Sequence, residues 1–175
     1  MAIRKNKIQT MVERLLADNG VTEAPVPLPQ IAQACGARIV VDSLQGDLSG
    51  FLYRDKNKAV IGVNTHHAPA RQNFTIAHEL GHFLLHEQEK LHVDHEFRVR
   101  LRNDVSSKGT DEAEREANHF AAALLMPKTF LEKDLKDEEY VDLFDEGFLY
   151  NLARKYGVST QALVNRLKNL GYLAE

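Results

Sequence analysis

The sequence of 175 residues has only one cysteine, Cys35, and no long apolar run. A single cysteine excludes a disulfide within the chain, which fits a reducing compartment. The longest uncharged apolar run, residues 120–126, is much shorter than the roughly 20 residues that a membrane-spanning helix needs. No apolar stretch follows the basic residues near the start, so we expect no secretory signal. These absences predict a cytoplasmic protein with no membrane partner.

The chain also lacks an excess of basic residues, since its formal net charge is -3. Proteins that bind nucleic acid over a whole surface carry a basic field that attracts phosphates. The composition therefore gives no reason to expect direct nucleic-acid binding, although a local basic patch would not show in a total. With 43% hydrophobic residues, a chain of this length can bury a core as one globular unit.

Helical spacing of apolar residues marks most of the chain. Residues 1–24 are predicted to form an amphipathic helix, ending near Gly20, and a linker, after which Pro25, Pro27 and Pro29 predict an extended connector. Residues 25–175 are predicted to form the main domain, which ends in a helix-turn-helix-like pair at 146–172. The other predicted helices cover residues 29–35, 69–86 and 110–126, with a short one after Pro127.

Three short runs between the early helices have the composition of β-strands: residues 38–41, 48–53 and 59–63. The polar residues 54–58 predict a turn between the last two runs. Residues 92–109 are charged and weakly periodic, which indicates a loop. We therefore expect an α+β fold, in which a small antiparallel sheet of about three strands packs on the helix at 69–86 and the C-terminal half is mostly helical.

The segment His78-Glu79-Leu80-Gly81-His82 carries the strongest chemical signal. Histidines four residues apart lie on one face of a helix, where both imidazoles can bind one tetrahedral ion such as zinc. Glu79 lies about 100° around the helix from His78, beside the metal rather than on it, as a general base requires. Chance supplies about 0.03 copies of this motif per chain of this composition. The alternative is a pair of solvated or capping histidines.

A third protein ligand is needed for such a site, and carboxylates recur in a second helix some thirty residues later. Glu112, Glu114 and Glu116 compete for this role, and spacing alone does not choose among them. The alternative is that all three are acidic residues that complement the dipole of a first helical turn.

Two further residues are candidates for supporting roles. Asn118, one turn after Glu114, could hydrogen-bond a ligand histidine, or it could be an ordinary surface amide. His86 lies two turns after His78, too far along the helix to bind the same ion, and fits a supporting or helix-ending role. The remaining histidines have no ligand-like spacing, and most are expected at the surface: His66, His67, His92, His95 and His119.

Two motifs together resemble the ImmA/IrrE family of metallopeptidases: residues 74–82, and the pattern from Glu114 to Pro127 that contains Ala117 and Asn118. The resemblance extends from about residue 28 to residue 172. It implies a zincin-like fold and a Zn²⁺ cofactor. In this family the first glutamate of the second motif is the ligand, which corresponds to Glu114 and leaves Glu116 on the helix surface.

The resemblance also implies a reaction and a substrate. Glu79 would be the base that takes a proton from water at the metal, and the reaction would be hydrolysis of a peptide bond. Members of the family cleave repressors of the helix-turn-helix type in mobile elements, phages or stress responses, so the expected partner is a DNA-binding repressor. Zincins commonly bind substrate along a sheet edge, for which we expect the strand Ala59, Val60, Ile61, Gly62 and Val63.

A rival hypothesis is a regulatory module that binds DNA or protein, in which the metal site is structural or inactive. Residues 152–167 resemble a helix-turn-helix, with Arg166 and Lys168 on the second helix. The alternative for this pair is a helical hairpin that packs its apolar stripe against the core: Leu163, Val164, Leu167 and Leu170. We favour the hairpin because few basic or amide side chains would face outward.

Overall fold

Seven helices and four strands make up the part of the chain that the computed structural model describes: residues 4–46, 48–55, 58–86, 91–95, 108–136, 142 and 145–172. The α+β class is therefore confirmed. In chain order the elements are α1 (Lys5–Asp18), α2 (Leu28–Ala34), β1 (Ala37–Asp42), β2 (Leu48–Asp55), β3 (Lys58–Asn64), α3 (Pro69–Leu85), β4 (Leu91–His95), α4 (Lys108–Leu125), α5 (Lys128–Asp134), α6 (Glu146–Tyr156) and α7 (Thr160–Leu170).

The four strands form one mixed sheet in the order β1-β3-β2-β4. β2 runs antiparallel to both β3 and β4, but β1 runs parallel to β3. The expectation of an antiparallel sheet of about three strands is corrected in two respects, since one pairing is parallel and a fourth strand is present. Consecutive strands pair only about two-thirds of the time, and here β3 lies between β1 and β2.

This order also corrects the expected edge strand. Residues 59–63 lie in β3, which is hydrogen-bonded on both sides and cannot accept a further strand. The two outer strands of the described sheet are β1 and β4. β4 overlaps the segment, residues 92–109, that was expected to be a loop. Five residues with two histidines and an aspartate give too little hydrophobic pattern to predict a strand.

One face of the sheet packs on α3, and α3 packs in turn on α4. Leu52, Ile61 and Val63 are buried on the inner side of the strands, while Tyr53 is exposed on the opposite side. This alternation follows from the period of two in a strand. The sheet thus supports the helix that carries the His78 motif.

α1 packs on α4 and buries Ile8, Val12 and Leu16 in the same hydrophobic core as the rest of the chain. These residues recur every four positions, so they lie on one helix face. Residues before the linker therefore share the core with the region that carries the motifs. The boundary near residue 25 stays a prediction.

The C-terminal helices α6 and α7 form the expected hairpin. Gly157 ends α6 in the left-handed conformation, with φ 65°, and its carbonyl accepts a hydrogen bond from Asn73 of α3 at 2.9 Å. Leu163 and Leu167 are fully buried, while Val164 and Leu170 pack at the margin of the core. The apolar stripe of α7 therefore faces the protein.

Arg166 does not lie where a DNA-reading side chain would lie. It is buried, its Nε donates to the carbonyl of Met126 at 3.1 Å, and its Nη2 contacts Gln9 at 3.4 Å. The guanidinium thus joins α7 to α1 and to the end of α4, which removes the main basic group of the rival hypothesis. Within the described residues, no helix is long and apolar enough to cross a membrane.

Candidate metal centre

α3 carries three residues of the site on its buried side. Pro69 stands in the first turn of this helix, where its missing N–H is not needed. His78 and His82 are each only 4% exposed, and Glu79 between them is fully buried. Ionisable groups are seldom buried without a partner or a ligand. The burial of three such groups in one helical turn indicates a functional site.

α4 approaches α3 closely at Gly81, which lies inside the motif. A Cβ atom at Gly81 would lie 3.1 Å from Phe120 Cδ1 and 3.2 Å from Ala117 Cα. The absence of a side chain at Gly81 therefore lets the backbone of α4 come close to α3. Glu114 lies one turn before Ala117 on α4, so this close contact brings the carboxylate beside the histidines.

The side chains of His78, His82 and Glu114 form a group that could hold a metal ion, with their nearest ligand atoms all within 4.8 Å of one another. The two Nε2 atoms of the histidines are 3.1 Å apart. The carboxylate of Glu114 places Oε2 3.4 Å from His78 Nε2 and Oε1 3.5 Å from His82 Nε2. Two imidazole nitrogens from α3 and the two carboxylate oxygens of Glu114 from α4 therefore lie close together.

These separations fit a zinc ion. Ligand atoms about 2.05 Å from a tetrahedral ion lie about 3.3 Å apart. Here the two imidazole nitrogens are 3.1 Å apart, and each lies 3.4 or 3.5 Å from one carboxylate oxygen of Glu114. Two imidazoles and one carboxylate are also a donor set that zinc prefers, and three protein ligands leave one position open. The residues present fit the group that the resemblance implies.

The charges at the site favour ligation. Burial lowers the pKa of His82 to about 4, despite the opposing effect of Glu114, so its imidazole is neutral at neutral pH and keeps a lone pair for a metal. Burial alone would raise the pKa of Glu114, but hydrogen bonds with His78, His82 and His92 outweigh it and lower that pKa. Glu114 is therefore an anion, as a ligand must be.

His92 of β4 joins the site, although its spacing gave no sign of this. Its Nδ1 lies 3.2 Å from Glu79 Oε2, and its Nε2 lies 3.0 Å from Glu114 Oε1. Burial alone lowers the pKa of His92, but the hydrogen bonds and charges of the two glutamates outweigh burial and raise the pKa to about 10. The expectation that places His92 among the surface histidines without a carboxylate partner is wrong.

His92 was not predicted as a site residue because its position depends on the pairing of β4 with β2. Only pairing with β2, which sets His92 opposite Leu52, turns its side chain toward α3. The available signal was the alternation in Leu91-His92-Val93, where Leu91 and Val93 are exposed on the other face. Three residues are too short a pattern to predict a strand in a polar segment.

The two candidates for supporting roles lie close to the site. His86 follows the end of α3, and its Nε2 donates to the carbonyl of Ala113 at 3.2 Å, which ties α3 to the turn that carries Glu114. Asn118 has its Oδ1 buried, with no hydrogen bond to that atom among the described residues. Its role as the partner of a ligand histidine stays a prediction.

Glu116 differs from the expectation of a helix-surface residue. It is only 2% exposed, and it accepts hydrogen bonds from Arg4 Nε at 3.0 Å and Nη2 at 2.6 Å. Its Oε2 lies 4.0 Å from His86 Nε2. Among the three competing carboxylates, Glu114 joins the metal group and Glu116 anchors the N-terminal segment.

Arg54 of β2 binds the C-terminal end of α3, the helix that carries His78 and His82. Its guanidinium donates to the backbone carbonyls of His82 and Phe83 and lies 5.2 Å from the centre of the Phe83 ring. Carbonyls at the end of a helix lack partners within it and carry partial negative charge. Arg54 thus holds the last turn of α3, with His82, against the sheet.

Comparison with known proteins gives the family of the chain. Residues 32–168 match the sequence profile of the peptidase family M78, described as the IrrE N-terminal-like domain. Because this match covers more than half of the chain, the chain belongs to that family, and the resemblance found from its motifs is confirmed. Membership in a peptidase family, together with the metal group, supports a metallopeptidase.

A solved structure with a similar fold is described as a Mycobacterium tuberculosis transcriptional regulator. It is 19% identical in sequence, has a TM-score of 0.64, and the match covers 94% of this chain and 48% of that one. The chain therefore spans about half the length of that structure, and at this identity the likeness shows the fold. A comparison with curated protein sequences finds no match.

Proposed function

We propose that this protein is a zinc-dependent endopeptidase that hydrolyses a peptide bond in a helix-turn-helix repressor. The observation that carries the proposal is the group formed by the buried His78 and His82 with the partly exposed Glu114, beside the buried carboxylate of Glu79. A structural zinc site usually has four protein ligands, whereas three ligands next to a carboxylate are typical of a catalytic site.

Each residue has a role in this proposal. His78, His82 and Glu114 would hold the ion. Zinc bound there would polarise the substrate carbonyl and lower the pKa of water toward about 7. Glu79 accepts a proton from the attacking water and passes it to the leaving amine nitrogen as the C–N bond breaks. Because Glu79 is shielded from solvent, its proton goes to the substrate rather than to bulk water.

The substrate would lie along β4. This strand is an edge of the described sheet, and His92 places it directly against Glu79 and Glu114. An extended peptide that pairs with a sheet edge gains main-chain hydrogen bonds. β4 thus takes the role that was expected of residues 59–63.

We propose a helix-turn-helix repressor as the substrate because the chain belongs to the IrrE-like family, and the resemblance to that family implies such substrates. A repressor substrate also favours a cytoplasmic location, which the single Cys35 fits.

Zinc content is the first test. Purified protein reconstituted with Zn²⁺ and dialysed should retain about one zinc per chain. His78→Gln and Glu114→Gln should lose it, whereas Glu112→Gln, a matched change in the same turn of α4, should keep it. Equal zinc in all four proteins, or none in wild type, would remove the metal site from the proposal.

Cleavage is the second test. Glu79→Gln should keep its zinc, bind the repressor and leave it intact, while wild type cleaves it. Pull-down with Glu79→Gln, followed by digestion of the captured protein with wild type, measures both steps. A zinc-loaded wild type that leaves every captured repressor intact would contradict the peptidase activity, and so would cleavage by Glu79→Gln.

A further inference from the structure

We propose that His92 is a positioning residue. Its ring holds the carboxylate of Glu114 in the metal site and links it to the carboxylate of Glu79. The inference rests on the proposed metal site and adds a residue to it from β4, an element that carries no ligand. His92 contacts the residues of the site from the sheet side, opposite the α3–α4 contact at Gly81.

The ring of His92 is fixed by three contacts. Nδ1 meets Glu79 Oε2 at 3.2 Å, and Nε2 meets Glu114 Oε1 at 3.0 Å. The ring also stacks on His82, with centroids 4.0 Å apart and planes 28° from parallel. Each ring nitrogen lies within hydrogen-bond distance of one glutamate oxygen. The imidazole therefore links two carboxylates that belong to different helices.

Glu114 needs such support more than the histidines do. His78 and His82 are almost fully buried in α3, whereas the side chain of Glu114 is 36% exposed and has rotamer freedom to lose. A hydrogen bond at Oε1 restricts that freedom and leaves Oε2 directed at His78. Groups that orient a metal ligand in this way commonly change metal affinity about 10- to 100-fold when they are removed.

The strand register makes the arrangement specific. His92 is paired opposite Leu52, whose side chain is buried, so both lie on the inner side of the sheet. Leu91 on the same strand is 56% exposed on the outer side. A change at Leu91 alters β4 without touching the site, and it supplies a matched control.

Two substitutions distinguish the contact of His92 with Glu79 from its contact with Glu114. In His92→Asn the amide replaces the position of Nδ1 and cannot reach Glu114. In His92→Gln the amide replaces the position of Nε2 and can still donate to Glu114. We expect His92→Asn to weaken zinc binding about 10- to 100-fold, and His92→Gln to stay close to wild type.

Zinc affinity is measured by competition with a chromophoric chelator on the 175-residue chain, with wild type and Leu91→Ala alongside. The visible spectrum of the Co²⁺ form should change in His92→Asn and match wild type in Leu91→Ala. Unchanged zinc affinity in His92→Asn, or equal losses in His92→Asn and Leu91→Ala, would overturn the role of His92. Failure of wild type to bind zinc would instead overturn the proposed function, so the two results are distinct.

Discussion

The guanidinium of Arg4 binds both carboxylate oxygens of Glu116, two residues after the metal-site residue Glu114. The backbone N–H of Arg4 also lies 3.3 Å from the same carboxylate. Paired hydrogen bonds between charged groups fix the orientation of both partners. The start of α1 is thereby attached to α4 at a point two residues after Glu114.

We predict that Arg4→Ala lowers the free energy of unfolding by about 1–3 kcal/mol, because it leaves the buried Glu116 carboxylate without its main partner. Arg4→Lys should lose less, since it keeps the charge but not the paired geometry. Chemical denaturation of the metal-free proteins measures both values. Adding Glu116→Gln to Arg4→Ala should cost little more; full additivity of the two changes would contradict the pairing.

The same pair predicts a pH dependence. The hydrogen bond from Arg4, with its charge, lowers the pKa of Glu116 below 4.5. A carboxyl whose folded pKa is depressed stabilises the protein above its unfolded pKa, and this stability is lost as pH falls through the folded pKa. The stability difference between wild type and Glu116→Gln should therefore be full above about pH 5 and narrow as the pH falls below that value. A difference that stays constant as the pH falls would exclude the linkage.

The site residues that could be predicted from the sequence lie close together along the chain. His78, Glu79 and His82 occupy one turn of α3, and helix geometry alone places them together. Glu114 needed the family resemblance, because its approach to the histidines depends on how α4 packs. Spacing along the chain does not contain that information.

The parts that sequence missed depend on contacts between distant segments. His92 reaches the site through strand pairing, and Glu116 is buried by Arg4, 112 residues earlier. We expected β3 at the edge of the sheet because nothing in residues 43–46, which follow β1, shows that β1 and β2 are not neighbours. In the structure β3 lies between these two strands. Periodicity predicted the helices and three of the four described strands, but it could not predict the order of the strands in the sheet.

Gly81 gives a prediction about packing and metal binding together. Gly81→Val should destabilise the fold by about 1–3 kcal/mol, because the added methyls would press on Ala117 and Phe120. It should also weaken zinc binding, since α4 carries Glu114. Thermal unfolding and zinc competition measure the two effects, and Gln161→Val at an exposed position of α7 is the control for helix propensity, worth below about 1 kcal/mol. If Gly81→Val and Gln161→Val behaved alike, close packing of α3 on α4 would be excluded.

Arg166 distinguishes the two interpretations of the C-terminal helices. If α6 and α7 were a DNA-reading pair, loss of Arg166 or of its exposed neighbour Lys168 would weaken DNA binding and reduce its salt dependence. Because Arg166 is buried and donates to the carbonyl of Met126, we expect Arg166→Ala to lower stability by about 1–3 kcal/mol. Lys168→Ala should change stability by less than about 0.5 kcal/mol.

Denaturation curves and duplex-binding titrations at two salt concentrations decide between these outcomes. Burial also lowers the pKa of Arg166 to about 10, still well above neutral, so the group remains charged inside the protein and relies on its hydrogen bonds. Burying the charge of Arg166 costs desolvation free energy. A contact with DNA at the protein surface could not offset that cost. A stable Arg166→Ala variant with weakened, salt-sensitive DNA binding would favour the regulatory module. An unstable variant with no change in DNA binding would instead indicate that α6 and α7 are part of the peptidase core.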